Sequence, residues 1–177
     1  MTSSTTVAVF VDTNIFVYWR DASEPSKRTV ASDWVALLWK DRTGRTSCQV
    51  LSEYYVTVTR KLRPHLSAAE AWADISELMA WQPQDTNGKL IRGARELEIR
   101  YGLSWWDCLI VSGAQLQNCS ILLTEDLQDG AVLGGVTVRN PFRRELNQMI
   151  PEYEASMTTT HRHPRRGRPL RKQALPG

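Results

Sequence analysis

Two short apolar runs stand out from a chain otherwise patterned for helices. The first, Val7-Ala8-Val9-Phe10-Val11, is rich in β-branched residues and stops abruptly at Asp12. The second, Ser120-Ile121-Leu122-Leu123-Thr124, gives way to the polar stretch Glu125-Asp126-Leu127-Gln128-Asp129-Gly130. Continuous apolar runs of this length, bounded by turn residues, predict strands buried on both faces of a parallel sheet. Residues 45–48 and Val136-Thr137-Val138 are shorter strand candidates, the latter closed by Asn140-Pro141-Phe142. Residues 81–85 carry Pro83, which suits a sheet edge or a loop.

Between these runs the period changes to three and four. A short helix is predicted over 14–19 and a longer one over 25–40, with Pro25 in its first turn and Val30, Trp34, Leu37 and Leu38 on one stripe. A third helix starts near Gln49, with Val50, Leu51, Tyr54 and Val58 inward, and its end is signalled by Pro64. Ser67 and Glu70 form a capping pattern for a fourth, whose core face is Ala71 or Trp72, then Ile75, Leu78 and Met79. Residues 87–101 form a fifth, stopped by Gly102, and Ser104 opens a sixth that runs to about 118. Strands alternating with helices imply an α/β fold of three layers, a central parallel sheet of four to five short strands between helices.

Composition changes this picture little within residues 1–150 and strongly beyond them. The chain has 177 residues, 42% hydrophobic and 23% charged, as expected of one globular domain. No apolar run approaches the roughly 20 residues that span a bilayer, and the N-terminus lacks a signal-peptide pattern. The three cysteines, Cys48, Cys108 and Cys119, form no paired motif and read as small buried hydrophobes of a reducing, cytoplasmic compartment. The seven tryptophans are expected mostly in the core or at interfaces. Of the net charge of +3, six positive charges (Arg162, Arg165, Arg166, Arg168, Arg171 and Lys172) fall after residue 154, so the rest of the chain carries −3. Residues 151–177 are therefore expected to form a basic, disordered tail, either solvated or contacting phosphate.

Four acids fall at chemically significant places. Asp12 ends the first strand, and Asp126 follows the strong second run by a few residues. Glu53 lies a turn into the helix after the brief strand, and Asp107 lies in the first turn of the helix opened by Ser104. In a parallel sheet, strand carboxyl ends and the amino ends of the following helices share one edge, where ligands bind. Each acid also has a local role open to it. Asp12 and Asp107 suit helix caps, Asp126 a turn, and Glu53 a solvated helix face. Gathered together, like charges raise one another's pKa and require a cation. No Lys or Arg adjoins Asp12, Asp107 or Asp126. A hard divalent ion such as Mg²⁺ suits such oxygen ligands.

The run Phe10-Val11-Asp12-Thr13-Asn14, then Glu53, then Trp106-Asp107-Cys108-Leu109-Ile110, then Leu123-Thr124-Glu125-Asp126 resembles a PIN-domain ribonuclease, most closely a VapC-type toxin of a bacterial toxin–antitoxin pair. The likeness covers about residues 7–142. It implies a PIN-like fold and a Mg²⁺-dependent endoribonuclease, with Mn²⁺ as a substitute. Asp12, Glu53, Asp107 and Asp126 would be the metal-binding quartet, and Asn14 with Ser47 or Thr124 supporting polar residues. Asp129 would be a further acid. It also implies an antitoxin partner. The paired Trp105-Trp106 and the basic tail depart from the pattern.

On this reading metal-assisted hydrolysis cuts an RNA phosphodiester. No histidine suits a general base: His65 adjoins a helix break, and His161 and His163 lie in the tail. Arg92, Arg95, Arg100, Lys27 and Arg28 are candidate rim cations, and Trp19 or Trp105 a candidate stacking residue. The apolar helical stretches 31–40 and 71–81 are candidates for a homodimer face or an antitoxin groove. The alternative is a non-catalytic RNA-binding or regulatory module on the same fold. A phosphatase using Asp12 as nucleophile is disfavoured, because Val-Asp-Thr-Asn offers no second nearby Asp.

Overall fold

A computed structural model describes residues 7–143. Its central sheet has five strands in the order β2-β1-β3-β5-β4. These are β1 (Ala8–Val11), β2 (Gly44–Arg45), β3 (Cys119–Leu123), β4 (Val132–Leu133) and β5 (Val136–Arg139). β1 pairs in parallel with β2 and β3, and β3 pairs in parallel with β5. The two strong apolar runs are thus the sheet's central pair. Val9, Phe10, Val11, Leu122 and Leu123 have no exposed surface.

Six helices cover the sheet: α1 (Thr13–Arg20), α2 (Pro25–Asp41), α3 (Cys48–Val56), α4 (Ala68–Leu78), α5 (Gly88–Tyr101) and α6 (Trp105–Leu116). α5 and α6 pack on each other and α6 on β3 and β5. α1 packs against α2 and α3, α2 against β2, and α3 against α4. This is the three-layer arrangement expected. The boundaries follow local chemistry. The Ser67 hydroxyl accepts the Glu70 N–H while the Glu70 carboxylate accepts the Ser67 N–H, a complete capping box. Asn87 caps α5, and Gly102, at φ 64°, ends it in the left-handed region that glycine tolerates.

Several expectations are corrected. The brief second strand covers two residues, because the Ser47 hydroxyl accepts the Val50 N–H and starts α3 at Cys48. Residues 81–85 are the loop at a sheet edge that Pro83 suggested: only Gln84 pairs, in an isolated parallel bridge with Ser47. The sheet is not wholly parallel: β4 lies antiparallel to β5 across the Gly134-Gly135 turn. Both glycines have positive φ, the signature of a two-residue hairpin. On α4 it is Ala71 that is buried, while Trp72 and Met79 are 59% and 49% exposed. Nor do the tryptophans behave alike. Trp34 and Trp81 are core residues, whereas Trp39, Trp72 and Trp106 are exposed. Trp81 packs so closely over β2 that a Cβ on Gly44 would lie 2.5 Å from its ring. Cys108 and Cys119 are buried, but Cys48 is only partly so. The expected basic tail, with His161 and His163, lies outside the described residues.

Candidate active site

β1 hands Asp12 to the carboxyl edge of the sheet. Its backbone N–H still bonds the Leu123 carbonyl, so the residue sits at a fixed height beside β3. Asp12 is also the N-cap of α1: its Oδ1 accepts the Thr13 N–H at 2.7 Å. The cap bond engages only one of its two carboxylate oxygens. Its other oxygen, Oδ2, accepts the Thr124 hydroxyl at 2.7 Å. Thr124, at the end of β3, is wholly buried.

From Thr124 the network spreads to Asp126. The Thr124 hydroxyl oxygen accepts the Asp126 N–H and one N–H of the Asn14 amide, both at 3.1 Å. The other Asn14 N–H reaches Asp126 Oδ2 at 2.9 Å. Both amide protons are thus consumed, and the buried Asn14 Oδ1 has no hydrogen-bond partner. Turning the amide over would set its oxygen against the Asp126 carboxylate, so the orientation is dictated by charge.

Glu53, on the second turn of α3, joins through Thr13. The Thr13 hydroxyl donates to Glu53 Oε2 at 2.9 Å, and Gln49, one turn earlier, donates to Oε1 at 2.9 Å. The Ser47 hydroxyl accepts a backbone N–H, that of Val50. It caps α3, so its contribution is to set the helix that carries Glu53. Asp107 stands apart in its bonding. Its carboxylate accepts the Ser104 hydroxyl at 2.6 Å, and its N–H bonds the same hydroxyl oxygen. α6 ends at Leu116 and β3 begins at Cys119, so helix and strand must run in opposite directions. The amino end of α6, with Asp107, therefore faces the carboxyl edge of β3. Asp129 Oδ1 accepts the Asn140 N–H at 3.0 Å.

Burial is the main cause that pushes the Asp12 carboxyl up, to about 7, against the lowering effect of the Thr124 and Thr13 bonds. The charges of Asp126 and Glu53 add to the rise. Among the described residues, no three His, Cys, Asp or Glu side chains form a group that could hold a metal ion. The four acids are thus not gathered into one closed cage. Asp12, Glu53 and Asp126 are linked through Thr13, Asn14 and Thr124. The donors nevertheless fit a hydrated hard cation. Mg²⁺ keeps several waters and needs only one or two carboxylates, and every donor here, including the orphaned Asn14 oxygen, is oxygen.

The rim differs from expectation. The Lys27 ammonium is engaged internally, with Glu125 at 2.7 Å and the Tyr18 hydroxyl at 2.8 Å. Burial opposes its charge, but these two partners more than offset that and raise the ammonium to about 12. Tyr18 also donates to Glu125 at 2.6 Å, closing a triangle that holds the residue before Asp126. Arg95 is paired with Glu98 on its own helix. Arg28 and Arg92 are exposed. Sequence reasoning passed over Thr13, Gln49 and this triangle. The four-residue spacing of Gln49 and Glu53 on one helix was a usable signal, whereas the triangle joins residues 98 and 107 positions apart.

Comparison with known proteins agrees with this architecture. A chain of VapBC2 from Rickettsia felis, bound to a DNA fragment from its promoter, superposes with a TM-score of 0.56 at 21% identity, covering 76% of this chain and 98% of that one. A chain of a toxin–antitoxin complex from Klebsiella pneumoniae gives 0.54 at 20% identity, covering 76% and 97%. No curated protein matches the sequence. The PIN domain family model matches residues 9–128, which includes both central strands, Asp12, Glu53, Asp107 and Asp126, and on that match the chain belongs to the PIN domain family.

Proposed function

We propose that this protein is a Mg²⁺- or Mn²⁺-dependent endoribonuclease, the toxin of a toxin–antitoxin pair. The observation that carries the reading is Asp12: a carboxylate buried at a strand end, hydrogen-bonded but, among the described residues, paired with no cation. Asp12 and Asp126 would hold the ion, with the Asn14 carbonyl beside them. When bound, a divalent cation activates water toward phosphorus and neutralises charge building on the phosphate. The chain's own residues prepare that chemistry. Thr124 fixes the Asp12 rotamer through Oδ2 and Asn14 fixes Asp126, so neither carboxylate reorganises when substrate arrives. Thr13 and Gln49 hold Glu53 as a nearby negative charge. Asp107 would complete the set from the end of α6.

The similar solved structures are toxin–antitoxin complexes, which supports an antitoxin partner. The surface offered to it is a groove of about 540 Å³ between α3 and α4, lined by Leu51, Tyr55, Val56, Trp72, Ile75 and Met79. The homodimer expected from the sequence would compete for this same face. Among the described residues no helix is long and apolar enough to cross a membrane, in keeping with a nuclease working in the cytoplasm.

The test is cleavage of RNA by purified protein with Mg²⁺ or Mn²⁺. Activity should vanish in EDTA and in Asp12→Ala, and fall by at least about a hundredfold in Asp126→Asn. Cleavage undiminished by EDTA would overturn the reading. That no three His, Cys, Asp or Glu among the described residues form a metal-holding group favours, as the second reading, a non-catalytic RNA-binding module. That module would bind RNA as well in Asp12→Ala as in the wild type and cleave in neither.

A further inference from the structure

The acids leave substrate affinity unexplained. A carboxylate cluster repels phosphate, and two of the expected rim cations, Lys27 and Arg95, are neutralised internally. Arg28 and Arg92 stay exposed and supply charge, and an uncharged contact would add to theirs. The most exposed tryptophan among the described residues is Trp106, 63% exposed, the second residue of α6 and the sequence neighbour of Asp107. Since α6 runs opposite to β3, this amino end faces the edge that carries Asp12, Thr124 and Asp126. Trp105 packs against the core, whereas Trp106 gains no such burial.

We infer that Trp106 is a stacking platform for an unpaired base of the RNA beside the bond to be cut. The inference rests on the nuclease reading and deepens it. Two surfaces with exposed indoles show why a base, and not a protein, is the fitting occupant. Trp72 belongs to a continuous apolar groove with Val56 and Met79, which suits an apolar helix. Trp106 lies between Trp105, which turns to the core, and the polar pair Asp107 and Ser104, whose side chains bond each other. It offers one flat π-face in a polar rim. A nucleobase has the matching shape, an apolar face with a polar edge, and stacking is indifferent to which base is present. Only an unpaired base exposes that face, so the site selects single-stranded segments.

The experiment uses the full chain and a fluorescein-labelled unstructured RNA oligonucleotide, with Ca²⁺ replacing Mg²⁺ to prevent turnover. Trp106→Ala should weaken binding by about ten- to a hundredfold, the loss of one base–aromatic stack. Trp106→Phe should stay within about threefold of wild type, because a π-face remains. Trp106→Leu, which keeps apolar bulk without a ring, should behave like Ala. A duplex of the same sequence should be nearly unaffected. With Mg²⁺, KM should rise while kcat holds, as for a contact made equally in ground and transition states. Ala or Leu variants that bind like wild type overturn the inference, as does a Phe variant as weak as Ala. Loss of antitoxin binding with RNA affinity intact would also overturn it and assign Trp106 to a protein interface. The two readings fail separately. A wild type that cleaves while Trp106→Ala is unchanged sinks only the stacking. A wild type that binds through Trp106 without cleaving sinks only the nuclease.

Discussion

Two buried carboxylates in this molecule are treated in opposite ways. Asp74, 3% exposed on α4, receives the Arg20 guanidinium through both of its oxygens and the Tyr54 hydroxyl at 2.5 Å. One arginine thus ties α1 to α4, and one tyrosine ties α3 to them. Hydrogen bonding to Asp74 raises the Arg20 pKa further, while burial raises that of the Tyr54 phenol, so both keep their protons. Asp12, 7% exposed at the end of β1, accepts two hydrogen bonds and, among the described residues, has no such cation, with Asp126 and Glu53 adding to the repulsion. The carboxylate that builds the fold is neutralised by the chain. The one at the sheet edge is left for something else to neutralise. Burial alone does not distinguish the two; the identity of the partner does.

The sharpest way to break this comparison is Asp74→Asn. Asn at this position weakens the charge-assisted bonds to Arg20, itself 36% exposed, and to the Tyr54 hydroxyl, and we expect a loss of about 2 to 3 kcal/mol in urea unfolding, insensitive to Mg²⁺. An unchanged midpoint would mean that the clamp contributes nothing. The next effect has the opposite sign. With its pKa raised from 3.8 to about 7 in the folded state, Asp12 binds a proton that the unfolded chain has already released. Its protonation supports the fold below about pH 4, and that support is lost as pH climbs to about 7. In EDTA at pH 7.5, Asp12→Asn should therefore be more stable than wild type by about 2 kcal/mol, a gap that closes by pH 4. Mn²⁺ should stabilise the wild type and leave the variant unmoved. Equal stability of the two proteins across that pH range would remove the asymmetry.

The smallest effect sharpens the comparison. Glu125 is a carboxylate of intermediate kind, near the candidate site yet paired with Lys27. Both side chains keep some solvent exposure, so Lys27→Ala should cost no more than about 1 kcal/mol by thermal melting. Its visible consequence should be Mn²⁺ affinity lowered a few-fold, since the triangle with Tyr18 holds the loop bearing Asp126.

Much of the fold could be read in the chain because it is written locally. The strands are uninterrupted apolar runs, the helices begin at Ser67, Asn87 and Ser104, and α5 ends at a glycine. β4 was missed although Gly134-Gly135 is a hairpin signal, because Val132-Leu133 is too short for any period to register. The choice between Ala71 and Trp72 stays open in the sequence, and Met79 reads as inward, because a helical period gives a stripe without saying which of two adjacent residues lies at its centre.

By itself the sequence determined the order of elements and the positions of the acids at element ends, since caps, turns and periods act within a few residues. Only the tertiary structure decided which acids share a network. Thr13 meets Glu53 across 40 residues, Asp74 finds its arginine across 54, and Thr124 reaches Asp12 across 112. Whether a carboxylate is a brick or a ligand depends on what crosses the fold to meet it. That encounter is set by how helices pack on the sheet, which no local pattern encodes.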